Sequence, residues 1–401
     1  MRVLAVHNKY KIRGGEDSSR ESKLRLLTSK GHTVQEITFD NAEITRPNAI
    51  LAGLKASWNQ AAYDGLKQSV SAWKPDIVDV DNFFPLASPS IYYAARACGV
   101  PVIQTLQNYR LLCPGGTLFR NGRVCELCVG KPIPWPGVAH GCYRNSRAAS
   151  LAATSMLTIH NLWGTWAKQV TLFVTGTEFC KRKFMDGGLP GDRILVKPNF
   201  LSPDPGPGLG DGDYLLFAGR LTEEKGIRAL LEAGQRIQTG TLLIAGEGAL
   251  RSAVEEAARN SPNIRYLGPR SAAEIRELMG RAKALVFPSI WFEGFPMAIV
   301  ESLARGTPVI ASRLGSMAEI VQDGKNGWLV APGNPDCLAD AMLHVFRDDP
   351  AGAARLRASA RSDFEENYTA ERNYARLMFT YEKATQLGGP HAHTQAAAAA
   401  G

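Results

Sequence analysis

The stretch Ala284–Ala311, ALVFPSIWFEGFPMAIVESLARGTPVIA, decides the fold class of this chain. Its first four residues form a short apolar run, which predicts a buried parallel strand. A loop carrying Glu293 follows, and Pro296 suits the first turn of a helix, where a missing N–H costs nothing. Gly306 ends that helix, and a second apolar run follows it. The stretch therefore predicts a strand, an acidic loop, a helix and another strand, as in a parallel α/β sheet.

Two glutamates in this stretch, Glu293 and Glu301, suggest a ligand. A carboxylate accepts two hydrogen bonds from a vicinal diol, so the pair can hold two sugar rings of one elongated molecule. The N–H groups after Gly294, at a helix N-terminus, suit an anion between those rings. Two diols separated by a diphosphate describe a nucleotide sugar. Taken alone, the pair is equally compatible with a loop glutamate and a solvated helix glutamate.

In context, the stretch resembles the retaining glycosyltransferases of family 4, which have the GT-B fold. The resemblance rests on Glu293-Gly294-Phe295-Pro296, Glu301 and Gly306-Thr307-Pro308-Val309, and it extends from Met1 to about Leu387. It implies an α/β protein with two Rossmann-like, doubly wound domains facing a central cleft. It further implies that Glu293 contacts the donor sugar and Glu301 the nucleotide ribose, with Gly294, Phe295 and Pro296 beside them.

A second group of candidate residues follows the predicted strand Tyr214–Phe217. Arg220 offers a planar fork to phosphate oxygens, and Lys225 offers a mobile point charge. Both come just after a strand's carboxyl end, where open α/β sheets bind ligands. Two surface cations beside a turn are the ordinary alternative. The resemblance implies that they stabilise a leaving diphosphate, near the donor-binding glycines Gly219, Gly246 and Gly248.

The loop from His7 to Gly15 contains the paired glycines Gly14 and Gly15 at a strand-to-helix junction. Paired glycines there let the backbone approach a phosphate, although the full dinucleotide fingerprint is missing. Under the resemblance this turn meets the donor diphosphate, and Gly15 is the expected contact.

The chain departs from the family pattern at three first-half positions. Asp79 and Asp81 stand where relatives carry His-x-His, and Gln107 stands where a cleft histidine is usual. Glutamine forms hydrogen bonds but does not titrate near pH 7, so no histidine-based proton transfer is assigned there. These three departures weaken the expectation of full glycosyltransferase activity that the resemblance carries.

Residues 107–145 form an insertion rich in Gly, Pro, Arg and Cys. Its cysteines have the spacing Cys-x11-Cys-x2-Cys-x13-Cys, at Cys113, Cys125, Cys128 and Cys142. This is the ligand count of a structural zinc site, but a disulfide pair and free thiols remain alternatives. No cofactor is expected for catalysis. Together with Gln107, the arginines Arg110, Arg120 and Arg123 are expected on the acceptor side.

Length and composition predict two or so domains in these 401 residues. Under the resemblance, the expected organisation is an acceptor-side domain over 1–201, a Pro/Gly linker over 202–213 and a nucleotide-sugar domain over 214–367. The resemblance also implies that a C-terminal helix over about 370–387 returns to the first domain, and 388–401 is predicted to be a disordered tail.

The net charge of +8 is unevenly placed. Residues 1–200 contain 25 Lys and Arg against 14 Asp and Glu, and the remainder contains 21 against 24. This asymmetry suggests that the first half meets an anion, or only that it keeps the chain in solution. The chain has neither a membrane-length apolar run nor a secretory signal, so a cytoplasmic protein, peripheral at the inner membrane face if it contacts lipid, is expected.

The sequence thus predicts a retaining glycosyltransferase that moves a hexosyl group from a nucleoside diphosphate sugar to an acceptor hydroxyl in polysaccharide or glycolipid assembly. Lipid-linked and other anionic acceptors fit the charge, whereas nucleic acid is not an expected partner. The alternatives are a sugar phosphorylase or epimerase using the same cleft, and a non-catalytic nucleotide-sugar-binding subunit.

Overall fold

The computed structural model describes residues 1–11, 14–45 and 49–388, with no side-chain description at 49 and 50. The chain divides into two compact units. Among the described residues, the first contains those of 1–118, 126–197 and 374–388, and the second contains 119–125 and 198–373. The predicted tail, apart from Gly388, lies outside the described residues.

The strands run in chain order as β1 Arg2–Lys9, β2 Thr33–Asp40, β3 Ile77–Asn82, β4 Val102–Thr105, β5 Phe119–Arg120, β6 Arg123–Val124, β7 Leu172–Thr175, β8 Ile194–Val196, β9 Tyr214–Ala218, β10 Thr241–Ala245, β11 Ile264–Gly268, β12 Ala284–Phe287, β13 Val309–Ser312 and β14 Gly327–Val330. The helices are α1 Gly15–Ser29, α2 Ala49–Lys55, α3 Gln60–Trp73, α4 Ser90–Ala97, α5 Pro136–Ala139, α6 Arg147–Trp163, α7 Thr165–Gln169, α8 Glu178–Asp186, α9 Ile227–Arg236, α10 Arg251–Asn260, α11 Ala272–Arg281, α12 Met297–Ala304, α13 Gly315–Ile320, α14 Pro335–Arg347, α15 Pro350–Asn367 and α16 Ala370–Gly388. Short 3-10 turns occupy Asn41–Glu43, Gly191–Arg193 and Glu223–Lys225.

The first unit is built on a parallel sheet with the order β2-β1-β3-β4-β7-β8. Its central strands are mostly buried because helices cover both faces of such a sheet. Helix α16 supplies Leu377, Tyr381 and Ala384 to the same core cluster as Val3 and Ile77. The last described helix is therefore a structural part of the first unit.

The second unit has its own parallel sheet, in the order β11-β10-β9-β12-β13-β14. Strand β12 and helix α12 come from the stretch Ala284–Ala311, and the predicted strand, loop, helix and strand are all present. Pro296 immediately precedes the helix, and Gly306 leaves it in the left-handed region at φ 64°. Two apolar clusters, one on each face, bury β12 and the three central residues of β9. The doubly wound α/β prediction is confirmed for this unit and for the first.

The helical period of the apolar residues over 49–74 predicts one amphipathic helix, with packing on a core favoured over lining the cleft or touching a membrane, and this prediction is wrong. The structure has two helices, α2 and α3, separated at Asn59, whose side chain accepts a hydrogen bond from the Ala62 N–H at 3.4 Å. Asparagine at a helix N-cap starts a new helix in this way. Leu51 and Leu54, predicted to face a core, are 53% and 71% exposed.

Within the described residues, none of the helices combines the length and the apolar character needed to cross a bilayer.

Candidate functional site

The loop after β12 places Glu293 in the interior of the second unit. Its carboxylate Oε1 accepts a 2.7 Å hydrogen bond from the Ser289 hydroxyl and forms a 2.7 Å ion pair with the Lys225 ammonium. The Ser316 hydroxyl donates to the Glu293 carbonyl oxygen at 2.9 Å. Glu293 is thus a buried carboxylate whose orientation is fixed by three side chains, two of which, Ser289 and Ser316, sequence reasoning missed.

Lys225 reaches Glu293 because a tight turn packs against the loop. The 3-10 turn Glu223–Lys225 ends at Gly226, which has φ 72°, and a Cβ there would overlap the Pro288 carbonyl oxygen. Only glycine permits this approach. The Lys225 ammonium also lies 5.2 Å and 5.6 Å from the ring centroids of Phe287 and Trp291. An ion pair and two aromatic rings therefore hold this cation in place.

Arg220 follows β9, the strand next to β12 in the second sheet. Its guanidinium lies 3.2 Å from the Glu224 carboxylate, and its side chain is 63% exposed. An exposed pair of this kind stabilises the fold little and exchanges easily for another anion. The carboxyl ends of β9 and β12 thus present one fixed cation and one mobile cation.

Glu301 lies on the second turn of α12 and is partly buried. Burial raises the pKa of its carboxyl, and the charge of Arg276 opposes that rise only in part. No described residue donates a hydrogen bond to this carboxylate. This carboxylate is partly desolvated and has no donor from the described residues, so a ligand hydroxyl can bind to it without displacing a protein contact.

Two further polar atoms near Lys225 are buried without a hydrogen-bond partner in the described part of the chain. They are the Trp291 indole N–H and the Thr222 hydroxyl. Each belongs to one of the two loops that the Lys225–Glu293 pair joins. Sequence reasoning missed both, because nothing in a single sequence shows that a tryptophan N–H lacks an acceptor. Unpaired donors beside a cation are what an oxygen-rich ligand satisfies.

Two of the predicted donor-site glycines are required by backbone packing. Gly246 has φ 147°, a Cβ there would overlap the Gly219 carbonyl oxygen, and the Gly219 N–H donates to Ala245 at 3.0 Å. A Cβ on Gly248 would lie 2.5 Å from the Leu221 carbonyl oxygen. Gly246 and Gly248 therefore let the turns after β9 and β10 pack together. Phe295 packs near Tyr368, with ring centroids 6.2 Å apart.

In the first unit, Gly14 and Gly15 begin α1 without any steric need for glycine. Neither has a positive φ, and no described atom lies within 4 Å of where a Cβ would stand at either residue. Asp17 accepts a hydrogen bond from the Gly14 N–H at 2.9 Å and contacts His7 Nε2 at 2.9 Å. Burial lowers the pKa of His7, against the influence of Asp17. The Asp17 side chain thus fixes the turn, and no described atom occupies the space beside the two glycines.

Asp79 and Asp81, at the end of β3, are bound to other side chains of the first unit. The Lys23 ammonium donates to Asp79 at 2.9 Å and to Asp81 at 2.9 Å, and the Tyr381 hydroxyl donates to Asp79 at 2.5 Å. The two carboxylates raise the pKa of Lys23 against the opposing effect of burial, which is the largest single influence. This buried network joins α1, β3 and α16.

A polar trio at the start of α1 was missed by sequence reasoning. The Tyr10 hydroxyl donates to Glu16 at 2.8 Å, and the Asn108 amide donates to the Tyr10 oxygen at 2.9 Å and to Glu16 at 3.3 Å. Burial raises the pKa of Glu16 to about 7. The adjacent Gln107 is partly buried.

Arg110 serves the insertion itself. Its guanidinium lies 4.6 Å from the ring centroids of both Phe84 and Tyr143 and donates to the Pro114 carbonyl oxygen. A guanidinium stacked between two rings is fixed in place. The structure thus gives Arg110 a role within the first unit, which the sequence did not predict.

Arg120 and Arg123 lie directly opposite each other in the antiparallel hairpin of β5 and β6. The turn between them has Asn121 at φ 52° and Gly122 at φ 72°, as two-residue hairpins require. Like charges at paired positions repel each other, and Arg120 Nε is buried without a partner among the described residues. An anion would compensate for both features.

Three cysteines of the insertion gather in the first unit. The Cys128 thiol donates to Cys113 and lowers the pKa of Cys113 to about 6. A Cβ on Gly115 would lie 3.6 Å from Cys113 Sγ and 3.5 Å from Cys142 Cβ. Cys125 belongs to the second unit, and all four thiols are free. Among the residues that the structure describes, no three His, Cys, Asp or Glu side chains are arranged to hold a metal ion.

Comparisons with known proteins agree with this architecture. Residues 212–348 match the family model described as Glycosyl transferases group 1. An uncharacterized glycosyltransferase of Methanocaldococcus jannaschii is 37% identical over 142 residues, which are 35% of this chain and 40% of that protein. A phosphatidyl-myo-inositol mannosyltransferase of Mycobacterium leprae is 35% identical over 156 residues, which are 38% of this chain and 42% of that protein. The chain thus spans less than half the length of these relatives.

Among solved structures, Anabaena HepE in complex with UDP is similar with a TM-score of 0.64 and 17% identity, covering 95% of this chain and 100% of that one. The chain has the GT-B fold, and the stretch that matches the group 1 glycosyltransferase model lies within its second unit.

Proposed function

We propose that this protein is a retaining glycosyltransferase that uses a nucleoside diphosphate sugar as donor. The observation that carries the proposal is the pairing, in the second unit, of a buried Lys225–Glu293 ion pair with an unpartnered Glu301 carboxylate. The match of residues 212–348 to the group 1 family supports it.

The donor contacts follow from the chemistry of each group. Glu301 accepts hydrogen bonds from the ribose diol, which supplies the donors that it lacks in the protein. Arg220 and Lys225 bind the diphosphate, and the Trp291 N–H and Thr222 hydroxyl offer further donors. A UDP-hexose is the donor to test first. The solved structures of Anabaena HepE, which has a similar fold, include complexes with UDP and UDP-glucose.

The leaving group determines the mechanism we propose. As the bond between the anomeric carbon and the phosphate oxygen breaks, charge grows on the diphosphate, and Arg220 and Lys225 stabilise it. The acceptor hydroxyl oxygen forms the new bond to the anomeric carbon on the same face, and its proton passes to the departing phosphate oxygen. Glu293 Oε1 is engaged by Lys225 and Ser289, which favours a positioning role for this carboxylate over a nucleophilic one.

The acceptor is proposed to be anionic and lipid-linked. The paired guanidinium groups of Arg120 and Arg123 match phosphate geometry, and the excess of basic residues in the first half agrees with an anionic partner. A lipid acceptor also fits the name of the mycobacterial relative, a phosphatidylinositol mannosyltransferase. Product analysis by NMR tests retention directly, since an inverted anomeric configuration would contradict it.

The donor assignment is tested by two substitutions with one matched control. Arg220→Ala and Lys225→Ala should lower kcat more than donor affinity, because charge on the leaving diphosphate is greatest in the transition state. We expect a loss of about 100-fold or more in kcat from either one, comparable to removing one charge-stabilising donor. Both variants are measured by steady-state turnover and by isothermal titration with UDP.

The control is Arg228→Ala, whose side chain has a similar exposure of 65% and pairs with Glu223 at 2.9 Å. Unfolding curves check Lys225→Ala, because that change leaves Glu293 buried without its cation. Turnover equal to wild type in both Arg220→Ala and Lys225→Ala would overturn the assignment.

Turnover assays of the wild-type protein, with and without an acceptor or inorganic phosphate, decide between the alternative functions. A non-catalytic subunit binds UDP-sugar but forms no product with any acceptor, and a phosphorylase needs inorganic phosphate for turnover. An epimerase converts the donor in the absence of any acceptor.

A further inference from the structure

One surface of the first unit carries large apolar side chains in the open. They come from α2, from the loop before α5 and from α6, and together they are called the apolar face: Leu51, Leu54, Ile133, Trp135, Leu151, Leu162 and Trp163. Each is at least 52% exposed. Exposed leucines occur singly on any protein, but a contiguous group indicates an interaction site.

Packing contacts bring these residues to one side. A Cβ on Gly53 in α2 would lie 3.3 Å from Ala152 Cβ in α6, so Leu54 and Leu151 flank the same helix contact. Leu162 follows Leu151 by three helical turns and therefore lies on the same stripe of α6.

The loop before α5 joins the same side. The Asn161 amide, next to Leu162, donates to the Pro132 carbonyl oxygen at 3.3 Å, which places Ile133 beside the end of α6. The Trp163 ring lies 6.4 Å from that of Trp58, just beyond α2.

The charge of the surrounding chain is one-sided. Residues 44–63 and 127–177, which supply the whole apolar face, contain no Asp or Glu. They do contain basic residues, and the exposed ones include Lys131, Arg144, Arg147 and Lys168. Arg147 lies one helical turn before Leu151 on the same stripe of α6.

We infer that the apolar face of α2, α6 and the 131–135 loop docks on an anionic lipid surface. Leucines reach below the headgroups, tryptophans lie at the interface, and the basic side chains of these two segments are attracted to anionic lipids. A protein partner would be expected to tolerate carboxylates at its rim, and their absence over both segments favours lipid. The inference rests on the proposed function in one respect, because it presents the first unit to a lipid-linked acceptor.

The test is flotation of the full chain with vesicles of phosphatidylcholine, with and without phosphatidylglycerol. Binding is expected only to the anionic vesicles and should weaken as the ionic strength rises to physiological values, where the Debye length is about 8 Å. Leu54→Glu and Leu162→Glu should each lower partitioning about tenfold, since each replaces an inserted apolar group by a charge. Arg147→Glu should lower it at low salt more than at high salt.

Leu209→Glu is the matched control, because Leu209 is 81% exposed on the second unit and lies outside the apolar face. Binding to neutral and anionic vesicles alike, or an equal loss in the control, would overturn the inference. A dimer in sedimentation velocity that Leu162→Glu dissociates would do so too, since the face would then belong to a second copy.

UDP titration and transfer to a short-chain acceptor are measured on the same variants. If vesicle binding fails while donor binding and transfer persist, only this inference is wrong. If vesicle binding holds and no nucleotide sugar binds, the proposed function is wrong and the lipid surface stands.

Discussion

Two glutamates on neighbouring elements are in opposite electrostatic situations. Glu293 is buried with a cation and a hydroxyl on one oxygen, whereas Glu301 is partly buried and has no donor among the described residues. The protein itself supplies the hydrogen-bond partners of Glu293, whereas the Glu301 carboxylate is available to a ligand. The Glu301 carboxylate adds no hydrogen bond to the free protein and is available to a ligand donor.

Glu301→Ala should therefore weaken binding without lowering stability. Removing a partly buried carboxylate without donors leaves the free protein as stable as wild type or more so. Affinity for UDP should fall by about 1–3 kcal/mol, because the ribose hydroxyls lose their acceptor. Thermal unfolding and isothermal titration measure the two effects.

Glu277→Ala is the control, since that side chain is 68% exposed on α11 and pairs only weakly with Arg305 at 3.8 Å. A variant at Glu301 that loses stability and retains UDP affinity would contradict the ribose assignment.

Glu16 should make stability depend on pH near neutrality. Its folded pKa of about 7 exceeds the ordinary value of 4.5, so the folded state holds this proton more tightly than the unfolded state. Its contribution therefore becomes less favourable as the pH rises from 4.5 to about 7. Glu16→Gln should match wild type below this window and exceed it above, by at most about 3 kcal/mol.

Urea unfolding at several pH values measures this difference. Glu21→Gln, on the same helix with a side chain that is 40% exposed, is the control. A difference between Glu16→Gln and wild type that does not change from about pH 4 to about pH 8 would show that burial does not perturb this carboxyl.

At the scale of elements, helix α16 is attached to the first unit by a buried polar contact as well as by apolar packing. Tyr381 reaches Asp79 at 2.5 Å, while Leu377 and Ala384 pack on the sheet. The sequence placed a returning helix over 370–387 by resemblance alone. The residues that hold it are 302 positions apart, a separation over which spacing and periodicity carry no information.

Tyr381→Phe should destabilise the first unit by about 1.5–3 kcal/mol, the range for a hydrogen bond to a charged group. The ring still fills its place in the core, so the loss reports the hydroxyl. Denaturant unfolding followed by tryptophan fluorescence measures it.

Tyr374→Phe on the same helix is the comparison, because its hydroxyl bonds to His32 at 2.8 Å in a less buried position. We expect a loss of about 0.5–1.5 kcal/mol there. Equal losses of unfolding free energy in the two variants would mean that the Tyr381–Asp79 hydrogen bond is no stronger than the Tyr374–His32 hydrogen bond.

Helices α2 and α3 show where sequence reasoning failed at this scale. The apolar residues over 49–74 have a helical period, and that period says which side is apolar but not what covers it. The break at Asn59 is local chemistry, an N-cap that also donates to the Leu86 carbonyl oxygen at 2.6 Å. The exposure of Leu51 and Leu54 depends on what packs beside α2, which no local pattern contains.

Across the whole molecule, the predictable part of the site was the part written in one continuous stretch. The residues from β12 to β13 contain a strand, a loop glutamate, a helix glutamate and a closing glycine, and all of them lie where the pattern puts them. Lys225 meets Glu293 across 68 positions, which only the resemblance suggested. Ser289, Trp291 and Thr222 were not predicted, because their role follows from burial.

Metal dependence is the remaining property of the whole molecule to test. Transfer should continue in EDTA, because Arg220 and Lys225 supply the positive charge and Asp79 and Asp81 are already bound by Lys23. Turnover lost in EDTA with an unchanged unfolding curve would contradict this expectation. Asp79 and Asp81 would then be the candidate cation site.

The cysteine insertion stays a separate prediction. If Cys113, Cys125, Cys128 and Cys142 bind structural zinc, elemental analysis of purified protein should find about one zinc per chain. Chelation should then lower thermal stability before it affects turnover. Protein without zinc and with four titratable thiols in this insertion would remove the proposal.

The position of α16 has a consequence for biosynthesis. Residues 198–373 leave the ribosome as one continuous piece and can close their own sheet while translation continues. The earlier-made sheet must wait for Leu377, Tyr381 and Ala384, so its apolar surface stays open through the synthesis of everything between. The half of the protein that is made first is thus finished last, and a nascent chain stalled before residue 374 would display that surface to chaperones.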